Sequence, residues 1–148
     1  MDMAGFILRA VHGPSFVPTP YAGVFGDVHA GDYNADYIQS FYDEGYTVGC
    51  GGGNFCPGAV HTRAQTAVFI LKGEHGTSYV PPSCQSTHAF DDVACPPTTD
   101  EPFGDWIGEL SMEGITAGCG GNNFCPSAGI PNQQMAAFLV KAFEIPHL

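Results

Sequence analysis

A mainly α fold of tandem helix-loop-helix repeats with disulfide-stapled loops is what this sequence predicts, and three observations carry it. The first is duplication: Gly45-Tyr46-Thr47-Val48-Gly49-Cys50-Gly51-Gly52-Gly53-Asn54-Phe55-Cys56-Pro57 returns 69 positions later as Gly114-Ile115-Thr116-Ala117-Gly118-Cys119-Gly120-Gly121-Asn122-Asn123-Phe124-Cys125-Pro126. The second is that segments with apolar residues at helical spacing flank each of these loops. The third is a cysteine pair inside each copy, which marks a modular scaffold before it marks an enzyme.

The correspondence extends on both sides of the loop. Gln65 to Lys72 matches Gln134 to Lys141, Asp36-Tyr37-Ile38 matches Asp105-Trp106-Ile107, and Val24-Phe25-Gly26-Asp27-Val28 matches Ala89-Phe90-Asp91-Asp92-Val93. A partial third copy runs from Asp2 to Arg9 and on through His12-Gly13-Pro14-Ser15-Phe16-Val17-Pro18, which answers His75-Gly76-Thr77-Ser78-Tyr79-Val80-Pro81 at an offset of 63. Residues 1–22 therefore read as the tail of a first repeat with its connector, 23–83 as a second repeat and 84–148 as a third, all one pseudo-repeat domain. Met1 falls where Ala64 sits in the following copy, inside a helix start, so the expectation is the C-terminal part of a longer protein.

Taken in order, a helix is expected from about Met3 to Arg9, with Phe6, Ile7 and Leu8 needing cover because one short helix is unstable alone. The proline-rich stretches 13–20 and 76–82 read as extended connectors, packed down through Phe16 and Tyr79. Tyr37, Ile38, Phe41 and Tyr42 form the apolar stripe of the next helix, and Trp106, Ile107 and Leu110 repeat it. Gly45 and Gly114 end these helices as residues of positive φ would. Phe55 and Phe124 are candidate apolar plugs for the cysteine loops.

Thr62-Arg63-Ala64-Gln65 opens the next helix as a capping box, with Thr62 accepting from the backbone and Gln65 reaching back. Its core face is expected at Ala67, Phe69, Ile70 and Leu71, with Gly73 and Gly76 as stops. In the last repeat Pro131-Asn132 replaces Thr62-Arg63, and Asn132 is the candidate cap. Phe138 answers Phe69 and is expected to be buried with it.

Cys50 pairs in this reading with Cys56, Cys119 with Cys125, and Cys84 with Cys95, the last two lying in insertions peculiar to the third repeat. Zinc bound by four cysteines is disfavoured, since five intervening residues exceed the usual spacing. Three disulfides imply an oxidising compartment. Lys and Arg total 4 against 15 Asp and Glu, a formal charge of −11, which argues against nucleic acid as partner. No apolar run approaches the ~20 residues of a membrane span.

With these residues in place the chain resembles a cysteine-containing variant of the S-layer homology repeat. The resemblance rests on Phe90-Asp91-Asp92-Val93, Trp106-Ile107, Leu110, Gly114-Ile115-Thr116 with Gly118, Phe124 and Pro126, and Gln134-Met135-Ala136 to Lys141. In the middle copy it rests on Phe25-Gly26-Asp27-Val28 and on Thr62-Arg63-Ala64-Gln65, close to the family's Thr-Arg-Ala-Glu signature. It implies helix-loop-helix repeats about a pseudo-threefold axis and a non-enzymatic module attaching a larger protein to the cell surface or S-layer. It also implies an anionic cell-envelope polysaccharide held in grooves between repeats, with Arg63 the one residue that carries over to the anion site; Thr62 and Gln65, at the same helix start, are the candidate ligand residues beside it. The other class of function is an assembly module that docks on another surface protein or on copies of itself. No cofactor is implied by either.

For Arg63 itself two readings stand: an anion contact, in which the guanidinium reinforces the free N–H groups of a helix start, or a surface arginine paired with an acid. Asp32-Tyr33-Asn34-Ala35-Asp36 has the alternating oxygens of a calcium loop without its turn glycine, and an acidic helix start accounts for the same residues. His12 and His75, each before a glycine, read as cations near helix C-termini.

Overall fold

The computed structural model describes residues 3–84 and 90–145; Met1, Asp2 and Ala89 of the repeat comparison lie outside the described residues. It is mainly helical, with α1 (Met3–His12), α2 (Ala35–Asp43), α3 (Arg63–His75), α4 (Gly104–Met112) and α5 (Asn132–Ala142) and no strand among the described residues. Its contacts divide it into two compact units, Met1–Ala59 and Val60–Leu148. The division falls inside the 23–83 repeat, where the sequence places no boundary.

In the first unit α1 packs on α2. Ile7 and Leu8 are fully buried with Met3 and Ala4, so the apolar face of the short helix is covered as its instability alone demands. On α2, Ile38 and Phe41 face inward, whereas Tyr42 is exposed and meets Phe25 edge-on at 5.4 Å. Gln39 and Ser40 are buried because they hold the connector: Ser40 Oγ accepts from Thr19 N and Gln39 Oε1 from Ala22 N. Asp36, in the first turn of α2, accepts from Tyr21 N. The extended connector thereby hydrogen-bonds its backbone to side chains of α2, which satisfies N–H groups that no strand partner serves. Phe16 stacks on His12 at 4.7 Å and is half-buried, as expected of a packed connector.

The helix ends are hydrogen-bonded stops. Gly45 (φ 82°) donates to Tyr42 O and Tyr46 to Phe41 O, and the Tyr46 ring lies flat on Phe41 at 4.8 Å. This is a Schellman arrangement with its apolar contact. At the end of α4, Gly114 donates to Ser111 O and Ile115 to Leu110 O in the same pattern.

In the second unit α3 packs on both α4 and α5. Ala67, Ile70, Leu71, Ile107, Leu110, Met135 and Phe138 are buried. Phe69 is half-buried, off the centre of the face that carries Ala67 and Ile70, and meets His61 edge-on at 5.9 Å. α3 does not stop at Gly73; it continues to His75 and ends at Gly76 (φ 97°). A glycine inside a helix costs only about 1 kcal/mol, less than packing around Ile70 and Leu71 supplies. Asn132 is not a cap either: it is the first residue of α5, and the N-cap is Pro131, which makes no side-chain cap hydrogen bond.

Both cysteine loops are built alike. Cys50 is bonded to Cys56 and Cys119 to Cys125, each with Cα atoms 6.1 Å apart, and Cys84 to Cys95 at 5.7 Å. Asp27 accepts from Phe55 N and Cys56 N, both at 2.7 Å, and Asp92 accepts from Phe124 N and Cys125 N at the same distances. Successive N–H groups converging on one carboxylate make a small anion cradle. Phe124 is fully buried beneath its loop, and Phe55 is half-buried against Phe25. Gly118 (φ 89°) is required: a Cβ there would lie 2.4 Å from Asn123 O and 2.7 Å from the Phe90 ring.

Two outcomes follow for this scaffold. Gly118→Ala combines a strained backbone with a steric clash and should destabilise the protein by more than about 1 kcal/mol in urea titrations. The backbone donors, Phe55 N first, hold the pKa of Asp27 below its ordinary 3.8. A depressed carboxylate pKa contributes stability above the unfolded value and loses it as pH falls through the folded one. Acid unfolding of wild type should therefore show a loss of stability below pH 3.8 that Asp27→Asn removes.

Candidate functional site

The sequence points to the start of α3, and the structure builds a pocket there. Its volume is about 820 Å³, and Thr62, Gln65, Asp92, Thr98, Asp100, Glu101, Phe103, Pro126 and Ser127 are among its lining residues. Thr62 caps α3 by accepting from Gln65 N at 3.2 Å while Gln65 Oε1 accepts from Thr62 N at 3.0 Å, so the expected capping box is complete.

Arg63 departs from both of its sequence readings. It is turned inward and only 3% exposed. Its Nε donates to Phe124 O at 2.7 Å and its Nη1 donates to Gln134. The guanidinium lies 4.7 Å from the Phe124 ring centre and 5.3 Å from that of Phe138. Burial lowers its pKa, and the negative charge of Asp92 works against that shift. The Nη2 atom makes no hydrogen bond among the described residues. Arg63 thus ties α3 to the cysteine loop and to α5, and it is absent from the pocket lining.

The free N–H groups on which an anion site at this helix would depend are already used. Arg63 N donates to Ala128 O at 2.8 Å and Ala64 N to Pro126 O at 3.1 Å, while Gln65 N is held by Thr62. The loop after Cys125 therefore caps α3 with its own carbonyls, a service no local reading of the helix start reveals. Ile130 N donates to His61 O at 3.2 Å beside it. Burial lowers the pKa of His61.

What remains open in the pocket is chemistry for hydroxyl groups. Asp92 is committed to the loop N–H groups, and one Glu101 oxygen accepts from Ala94 N at 3.1 Å. Asp100, Thr98 and Ser127 are exposed, and Phe103 supplies a half-buried ring. Carboxylate acceptors with hydroxyls and an aromatic face suit a polyhydroxylated ligand better than a second anion. Sequence reasoning singled out Thr62 and Gln65 but missed Thr98, Asp100, Glu101 and Phe103, which lie in a segment without a counterpart in the middle repeat.

Asp32 and Asp36, the candidate calcium oxygens, instead accept from His29 N at 2.7 Å and Tyr21 N at 2.8 Å. His12 and His75 end α1 and α3 as expected, and each meets a carboxylate that the sequence did not suggest. His12 Nε2 lies 2.8 Å from Glu44, and His75 Nε2 lies 2.7 Å from Glu113.

No protein-family model and no curated protein matches this chain. The likeness to S-layer homology repeats rests on the residues quoted for it.

Arg63 is expected to matter for stability first. Arg63→Ala removes two hydrogen bonds and two ring contacts from a buried site and should cost about 2–4 kcal/mol in chemical denaturation. Arg63→Met, which refills the volume without burying a charge, should cost less. Equal losses for the two variants would mean that the charge, not the packing, carries the tie.

Proposed function

We propose that this chain is a non-enzymatic attachment module of a cell-surface protein and that it holds an envelope polysaccharide in the pocket at the start of α3. The observation that carries the proposal is that pocket: about 820 Å³, with Thr98, Asp100, Glu101, Ser127 and Phe103 in its lining. The duplicated contacts support a repeat-built scaffold beneath it, with Asp27 and Asp92 holding equivalent loops. A pseudo-threefold arrangement of such repeats belongs to this proposal. Three disulfides fit a place in an oxidising compartment.

The ligand in this reading is recognised by its hydroxyl groups. The inward guanidinium of Arg63 and the carbonyl-capped N–H groups of α3 leave little for an anionic substituent, while carboxylate acceptors around a ring suit sugar hydroxyls. An assembly function has one observation in its favour. Val17 and Val80, at corresponding positions of the two connectors, are 84% and 79% exposed.

Isolated envelope polysaccharide separates the two. Saturable binding in a pulldown is expected for wild type, and Ser127→Trp, which fills the pocket from an exposed position, should weaken it at least tenfold at an unchanged melting temperature. Absence of binding by wild type, or equal binding by the variant, would turn the argument toward docking on another surface protein.

A further inference from the structure

Glu74, His75 and Glu113 bring three metal-ligating side chains together in the second unit, with one donor atom of each lying within 4.8 Å of the others. We infer that they form a binding site for a divalent transition metal ion, of which Zn²⁺ is the type. The inference is independent of the polysaccharide reading.

The distances come first. His75 Nε2 lies 2.7 Å from Glu113 Oε1 and 4.0 Å from Glu74 Oε2. Ligand atoms around a tetrahedral zinc with bonds of 2.0–2.2 Å stand about 3.3–3.6 Å apart, so the observed separations bracket what an ion would impose. One imidazole with two carboxylates is a donor set for zinc and its neighbours, whereas magnesium and calcium prefer oxygen throughout. All three side chains retain 21–34% of their surface in contact with solvent, which leaves a path for an ion.

The electrostatics supply an independent reason. His75 is the last residue of α3 and Glu113 is the C-cap of α4, so two helix C-termini, each carrying partial negative charge, converge on the cluster. Glu74 adds a carboxylate where the helix field already disfavours one. Glu113 Oε2 is buried and has no hydrogen-bond donor assigned to it among the described residues. A buried carboxylate oxygen beside a second carboxylate is satisfied either by a cation or by a proton shared between the two.

The chain also contains its own comparison. In the first unit His12 ends α1 and lies 2.8 Å from Glu44, the C-cap of α2, and His12 stacks on Phe16 as His75 stacks on Tyr79. At the position of Glu74 that unit has Val11. The histidine–glutamate pair is thus sufficient to join a helix end to its neighbour, and the structural role of the pair does not explain Glu74. The third ligand is what distinguishes the second unit.

The test is calorimetric titration of the whole chain with ZnCl₂ at pH 7.5 after treatment with EDTA. One Zn²⁺ per chain is expected, together with a rise in melting temperature that EDTA reverses. Glu74→Val, which copies the first unit, and His75→Gln should each weaken binding at least tenfold. His12→Gln should leave it unchanged. Absence of Zn²⁺ binding, undiminished binding by Glu74→Val, or loss of binding on changing His12 would overturn the inference. So would an NMR titration in which a proton shared by Glu74 and Glu113 persists at saturating zinc, since the carboxylates would then hold a proton in place of the metal.

Discussion

The carboxylate of Asp92 is the contact on which the second unit depends. Its two oxygens accept from Phe124 N and Cys125 N and so fix the loop closed by Cys119 and Cys125. Everything that loop does follows from this anchoring. Phe124 O is placed to receive Arg63, the Phe124 ring lies under the guanidinium, and Pro126 O and Ala128 O meet the first N–H groups of α3. The disulfide limits how far the loop can open, but a six-residue covalent link does not choose a conformation. The carboxylate does, because a charged acceptor to two backbone donors is among the stronger hydrogen-bonding arrangements available at a protein surface.

Burial of Arg63 is tolerated only inside that frame. A guanidinium taken out of water loses several kcal/mol of hydration, and here a carbonyl, an amide and two aromatic faces offset the loss. All four partners belong to the cysteine loop or to α5. The arginine therefore converts a helix start, usually a place for contact with solvent, into a three-way junction of α3, loop and α5. In the last repeat Asn132 stands at the equivalent position, and α5 begins without a side-chain cap.

The parts of this fold that were legible in the sequence are those whose partners lie close along the chain. The capping box spans Thr62 to Gln65, the Schellman stops span Phe41 to Tyr46 and Leu110 to Ile115, and the disulfides close loops with separations of 6 and 11. Periodicity placed Ile38, Phe41, Ile107 and Leu110 in the core correctly, and it misplaced Tyr42, whose ring covers Phe25 from the solvent side. The clamps were invisible for a physical reason. Asp27 reaches 28 residues to Phe55 and Arg63 reaches 61 to Phe124, and nothing in local propensity tells a carboxylate bound for a distant loop from one left in water. The repeated Phe-x-Asp-Val motif carried the signal, because an aspartate kept in both copies between two buried apolar residues has a role in the fold. The pocket was half legible: Thr62 and Gln65 come from the repeat, whereas Thr98 to Phe103 come from a segment with no second copy to compare.

Duplication makes the differences between copies more informative than the likenesses. What both compact units keep is the framework: the aspartate clamp, the strained glycine before the first cysteine of the Gly-rich loop, and the histidine that joins a helix end to a glutamate. These satisfy demands that each copy meets alone, since each must bury one helical face and close one loop. The residues that break the match near α3 include carboxylates that the first unit lacks. Glu74 replaces Val11 and puts a carboxylate at the negative end of a helix, and residues 96–103 add an acidic rim beside the start of the same helix. The first change is unfavourable in isolation, because a carboxylate at a helix C-terminus meets the partial negative charge of its free carbonyls. The two ends of α3 are thus places where the two units differ in charge.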